Sequence, residues 1–132
     1  FQEMNVALGG TLHQKIHSVP DMMDHREDST LDLDGQYGFS HKISITPHGI
    51  LDQISDDKKP WVNSVHWQGI NQLGNGLTVE ATSQDGLVES FSVTDSPSFA
   101  LAVQWHPEWK VMKTPFYKSI FEKFGDACIT HG

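Results

Sequence analysis

The chain has 132 residues, enough for one domain or part of one. Acidic residues outnumber basic ones 17 to 9, for a net charge of −8 with His neutral, and no Lys/Arg run exists, so nucleic acid and anionic membrane are disfavoured as partners. No apolar stretch approaches the ~20 residues that span a bilayer, no signal peptide is visible, and the single cysteine, Cys128, excludes an internal disulfide and suits a reducing, cytoplasmic setting.

Residues 1–8 (FQEMNVAL) are helix-prone, and Gly9-Gly10 supplies a stop. The segment reads as the middle of an element and begins with Phe rather than Met, so an N-terminal portion is expected upstream. Residues 11–14 suit a short strand or turn. Residues 18–38 are polar and irregular, and Pro20, Asp21, Asp24, His25, Asp28, Asp34 and Gly35 mark a long surface loop of the kind that often borders sites. Residues 41–46 (HKISIT) alternate polar and apolar, the pattern of a half-buried strand. Residues 49–54 suit one helical turn. Residues 61–65 read as a strand leading into His66-Trp67-Gln68-Gly69. Residues 77–82 and 87–93 are strands joined by Ser83-Gln84-Asp85-Gly86, where Asp-Gly signals a hairpin turn. Residues 99–105 form a near-continuous apolar run, as in a strand covered on both faces. Thr114 as N-cap and Pro115 at the first position open a helix. Its apolar stripe is Phe116, Ile120, Phe121 and Phe124, and Gly125 lies near its end. No repeat or low-complexity segment interrupts this order, which predicts an α/β fold with a mixed sheet.

Candidate chemistry concentrates where the apolar run ends in Gln104-Trp105-His106-Pro107-Glu108. In extended chain, side chains two apart share a face with Cα atoms roughly 6.5 Å apart. A Glu108 oxygen can then reach the His106 ring, and Pro107 holds the intervening φ. A carboxylate accepting from one ring N–H fixes the tautomer and leaves the other nitrogen to take a proton from a nucleophile. The plain structural alternative is a loop-edge His with a solvated Glu.

Asn63-Ser64-Val65-His66-Trp67-Gln68 is a dense set of hydrogen-bonding groups that either lines a pocket or satisfies its own backbone. Ser64 is a poor nucleophile because Gly-x-Ser-x-Gly is missing. His13 and His17 have i, i+4 spacing and His25, Asp21 and Asp24 follow, so a zinc site can be drawn. His-Glu-x-x-His is absent and the segment does not read as helix, so no metal is expected. Cys128 falls after the last helix, the wrong end for a thiolate stabilised by a helix N-terminus.

The Gln104–Glu108 stretch resembles the His-Pro-Glu signature of class I glutamine amidotransferases, a Cys-His-Glu triad family. Phe1-Gln2-Glu3 followed by Gly9-Gly10-Thr11-Leu12-His13 looks like the helix just after that family's Gly-x-Cys-x-Gly elbow. The motifs His25-Arg26-Glu27, Val62–Gln68, Asp85–Glu89 and Val103–Trp109 resemble those of the γ-glutamyl-γ-aminobutyrate hydrolases, of peptidase C26 type, which act in putrescine breakdown.

The resemblance implies a flavodoxin-like three-layer sandwich, with residues 1–132 as the C-terminal part of a single domain. It implies a Cys nucleophile just before Phe1, His106 as general base and Glu108 as its orienting carboxylate. Gln2, Ser64, His66 and Gln68 would border the substrate, a small γ-glutamyl amide, and no cofactor is implied. The N-terminal portion would be the remaining partner, with a homodimer left open. Two other readings compete: a non-catalytic binding module of the same fold, and a metal-dependent hydrolase using His13, His17 and His106.

Overall fold

The structure, a computed structural model, describes residues 1–20, 22–26, 38–64, 66, 68–95, 100–108 and 114–131. Three helices and seven strands are described: α1 (Gln2–Ala7), β1 (Thr11–His13), β2 (His41–Ile45), α2 (Ile50–Ile54), β3 (Trp61–Val62), β4 (Gly69–Gln72), β5 (Leu77–Ser83), β6 (Val88–Val93), β7 (Leu101–Val103) and α3 (Pro115–His131). A single 3₁₀ turn, Ile16–Ser18, follows β1.

β1 and β4 form a small sheet of their own, and the other strands form a five-stranded sheet in the order β3-β2-β5-β6-β7. Every described pairing is antiparallel. The expected mixed sheet is therefore not seen among the described residues.

Strand β2 shows why the alternation reads as strand: His41, Ile43 and Ile45 are buried while Lys42 and Ser44 are exposed. The β5–β6 hairpin closes as its Asp-Gly predicts. Gly86 takes φ +85°, where a Cβ would be strained, and Gly86 N donates to Ser83 O at 3.0 Å. The main core gathers Ile43, Ile45, Leu51, Val62, Ala81, Trp105, Tyr117 and Ile120, so α2 and α3 pack onto the five-stranded sheet.

Four expectations change. The apolar run at 99–105 gives only the three-residue β7, at the sheet edge and half-buried throughout, not a doubly covered strand; Phe99 lies outside the described residues. The stripe of α3 is Tyr117 and Ile120, with Phe116 partly buried, while Phe121 and Phe124 are exposed. That helix also runs past Gly125 to His131, so Cys128 lies within it. Strand β4, absent from the sequence reading, pairs with β1 through Thr11↔Gln72, Leu12↔Ile70 and His13↔Gly69. The predicted strand at 61–65 shortens to Trp61–Val62, with Val65 outside the described residues, as are Asp21 and 27–37 of the long loop.

Candidate active site

Where β7 leaves the sheet edge, the chain bends through His106-Pro107-Glu108 into an open cleft of about 550 Å³. Phe1, Gln2, Glu3, His66, Gln104 and His106 line it together with Glu108. His106 Nδ1 lies 2.8 Å from Glu108 Oε1, with the two side chains 41% and 62% exposed. A carboxylate only accepts, so this contact places the ring proton on Nδ1 and makes Nε2 the basic nitrogen.

The backbone of His106 is held by Asn63. Asn63 Oδ1 accepts from His106 N at 2.7 Å, and Asn63 Nδ2 donates to His106 O at 2.9 Å. Asn63 is itself fixed through its N–H, which donates to the Tyr117 hydroxyl at 3.0 Å. Burial pushes the Tyr117 hydroxyl up to about 12, with the Glu108 charge adding to the rise against the Asn63 hydrogen bond. On the opposite wall, Gln2 Nε2 donates to Gln104 Oε1 at 3.0 Å and to Gln68 O at 3.2 Å. The Phe1 ring stacks on buried Phe91 with centroids 4.8 Å apart.

Behind the cleft lies a buried polar cluster. His25 Nε2 meets Asp85 Oδ2 at 2.8 Å, and Glu89 Oε1 faces nitrogens of His25, His41 and His66. Burial lowers the pKa of His25 despite the Asp85 hydrogen bond. Burial also opposes the charged form of His41, but the facing Glu89 outweighs it and the pKa rises. Burial works against the Glu89 carboxylate in turn, and the facing His41 and His66 hold it below its ordinary range. Asp85 is pulled to about 2: burial opposes this, and hydrogen bonds from Ser83, His25 and the Met23 N–H prevail. His25, His66 and Glu89 offer ligand atoms within 4.8 Å of one another, a set able to hold a metal ion.

Of the residues singled out from sequence, the structure brings Gln2, His66, His106 and Glu108 to one cleft. Gln68 reaches it only through its carbonyl, which accepts from Gln2, while its side chain donates to Gln14 Oε1 at 2.7 Å. Ser64 is buried away from it. Its Oγ sits 3.3 Å from His25 Nδ1, so Ser64, His25 and Asp85 have the layout of a hydrolytic triad. They are sealed from solvent, and the Ser64 hydroxyl donates instead to His25 O at 2.7 Å. His13 and His17 do not line the cleft. His25 belongs to the buried cluster rather than to a surface loop. Asn63, Tyr117, Gln104 and Glu89 carry no sequence signal as site residues. Only the density of polar groups around position 63 hints at the first.

The peptidase C26 family model matches residues 1–108. Over 132 residues the chain is 44% identical to γ-glutamyl-γ-aminobutyrate hydrolase PuuD of Escherichia coli (strain K12), covering 99% of this chain and 52% of that protein. It is 33% identical over 125 residues to protein NtpR of Enterococcus hirae, covering 94% and 50%. The chain thus spans about half the length of the curated relatives it matches. A solved structure from Thermoplasma acidophilum, assigned to a GMP synthase, superposes with TM-score 0.66 at 19% identity, over 98% of this chain and 54% of that one. At that identity the likeness speaks for the fold, the α/β fold of the glutamine amidotransferase class.

Proposed function

The chain belongs to the peptidase C26 family, and from that premise we propose that it carries the base-and-carboxylate limb of a Cys-His-Glu hydrolase of γ-glutamyl amides. The observation that supports this most directly is the His106 Nδ1–Glu108 Oε1 contact of 2.8 Å at the mouth of the cleft. In this reading residues 1–132 are the C-terminal part of one domain, and the nucleophilic Cys lies upstream of Phe1. Phe1, Gln2 and Glu3, on the cleft wall, would bring that Cys opposite His106.

The Cys thiolate attacks the γ-glutamyl carbonyl, breaking the C–N bond and forming a thioester. His106 Nε2 gives its proton to the leaving amine, then takes one from the water that hydrolyses the thioester. Glu108 holds the ring in the required tautomer and stabilises its cationic form. The wall of Gln2 and His66 presents polar groups to the glutamyl moiety. The substrate we propose is γ-glutamyl-γ-aminobutyrate, the substrate named for the PuuD relative, released as glutamate and 4-aminobutyrate in putrescine catabolism.

The test uses the whole protein that carries this chain, with free 4-aminobutyrate as the readout. His106→Ala should lower kcat by ~10³-fold or more, and Glu108→Gln by a smaller factor, with little change in substrate affinity. Turnover by His106→Ala within a few-fold of the unaltered protein would overturn the assignment. Substrate binding without turnover by the unaltered protein would do so too, in favour of a binding module.

A further inference from the structure

The carboxylate of Glu89 is 1% exposed, and neither of its oxygens has a hydrogen-bond partner among the described residues. Oε1 instead faces His41 Nε2 at 3.1 Å, His25 Nδ1 at 3.5 Å and His66 Nε2 at 3.7 Å. The second nitrogen of each ring is already engaged. His41 Nδ1 meets Lys42 O at 3.1 Å, His66 Nδ1 meets Gln68 O at 2.8 Å, and His25 Nε2 meets Asp85 Oδ2 at 2.8 Å. Carbonyl and carboxylate oxygens only accept, so each of those nitrogens carries the ring proton. The neutral rings therefore point lone pairs, not N–H groups, at a carboxylate. Ser64 does not cap His25 Nδ1, because its single proton goes to His25 O at 2.7 Å.

Lone pairs converging on a buried anion repel unless a cation lies among them, and an isolated buried carboxylate is costly. We propose that His25, His66 and Glu89 bind a divalent transition metal of the zinc class, with His41 orienting Glu89 from outside the ligand set.

Spacing supports this. Zinc–nitrogen and zinc–oxygen bonds of about 2.0–2.2 Å set tetrahedral ligand atoms ~3.3 Å apart. The Glu89 edges to His25 and His66, 3.5 and 3.7 Å, are close to that before any metal draws them in. The outer contacts match those of metal-bound imidazoles, whose other N–H is given to a carboxylate or a backbone carbonyl. Two imidazoles and a carboxylate suit zinc better than magnesium or calcium, which take all-oxygen sets. The ligands come from three places far apart in sequence: the segment before residue 27, the stretch after β3, and β6. Since all three are buried, the ion would be structural, fastening the segment around His25 to the sheet behind the cleft.

The experiment takes untagged whole protein, stripped with a chelator and titrated with Zn²⁺ alone. Elemental analysis after desalting should find about one equivalent retained per chain, and Zn²⁺ should raise the melting temperature. Co²⁺ in place of Zn²⁺ should give visible d–d bands of a low-coordinate nitrogen/oxygen site. Asp85→Asn, which alters only the outer contact to His25, should weaken Zn²⁺ binding ~10–100-fold. Glu89→Gln should weaken it more, and His106→Ala, in the cleft, should leave it unchanged. No retained metal and no Zn²⁺-dependent rise in melting temperature would overturn the proposal, with the cluster then charged by protons alone. Zn²⁺ binding unaffected by Asp85→Asn and Glu89→Gln would also overturn it, by placing the ion elsewhere. If Glu89→Gln fails to fold, the Asp85→Asn affinity and the Co²⁺ spectrum decide.

Discussion

Asn63 holds His106 by its backbone rather than by its ring. The side-chain amide accepts from His106 N and donates to His106 O, at 2.7 and 2.9 Å, much as a neighbouring strand would. The turn carrying His106 lies past the end of β7, so no ladder bond fixes it, and a buried asparagine takes over. Asn63→Ala strips both partners from the His106 peptide groups. Groups of that kind left unsatisfied cost ~1–3 kcal/mol, so a fall in stability of that order is expected in denaturant titrations. A catalytic ring displaced by about 1 Å loses on the order of 10²-fold in rate, so kcat should fall ~10–100-fold with KM nearly unchanged. A rise in KM at constant kcat would show that Asn63 acts on the substrate and not on the position of His106. The sequence marks His106 and Glu108 clearly because their chemistry is carried by residue type and spacing. Asn63 has the same importance by position, which only the fold supplies: it is 43 residues from the turn it holds.

At the scale of elements, α3 is tied to the cleft through Tyr117, whose hydroxyl accepts from Asn63 N at 3.0 Å. Tyr117→Phe leaves that buried N–H without its partner, at a cost of ~1–3 kcal/mol. The effect depends on pH. In the folded protein Tyr117 titrates near 12, against an ordinary 10.0. Between these values the folded state binds more protons than the unfolded one, so stability falls as pH rises. The contribution is whole below pH 10.0 and is lost through about 12. Chemical denaturation across that interval should show the stability gap between the unaltered protein and Tyr117→Phe narrowing, and a constant gap would refute the role given to this hydroxyl. The same helix shows what periodicity can and cannot tell. Thr114-Pro115 announces its start, and the structure begins it at Pro115. Its buried face differs from the apolar stripe because four phenylalanine and isoleucine side chains outweigh one tyrosine on any hydropathy scale. Burial follows the polar partner that Tyr117 finds, so Phe121 and Phe124 face outward. Strand β7 misleads in the opposite sense: its apolar run promises cover on both faces, but its place at the edge leaves it half-buried. Strand β4 escapes a sequence reading because Gly69-Ile70-Asn71-Gln72 neither alternates cleanly nor favours strand, and it is a strand only because β1 lies beside it.

Across the whole molecule, the cleft lies on a seam. One wall, His106 and Glu108, descends from the five-stranded sheet, and the other, Phe1, Gln2 and Glu3, belongs to α1. What docks α1 is Asn5, fully buried, whose Nδ2 donates to Thr11 O at 3.3 Å and Gln72 O at 3.2 Å, and whose Oδ1 accepts from Gly74 N at 2.7 Å. The fit is close enough that a Cβ on Gly10 would lie 2.3 Å from Asn5 Oδ1. A single amide thus joins the helix to both strands of the small sheet, and it lies well away from His106 in sequence and in the fold. Asn5→Ala should loosen α1 while leaving the main core, which contains no residue of α1, β1 or β4, in place. Hydrogen exchange should then quicken in residues 2–13 and 69–74 with little change in β5 and β6. Activity should fall chiefly through a higher KM, because Gln2 no longer holds its place against Gln104 while His106 keeps its own contacts. If exchange instead quickens evenly through β5 and β6, α1 and the small sheet are not a separable unit. The two walls of the cleft would then move as one body, with Asn5 stabilising the domain as a whole.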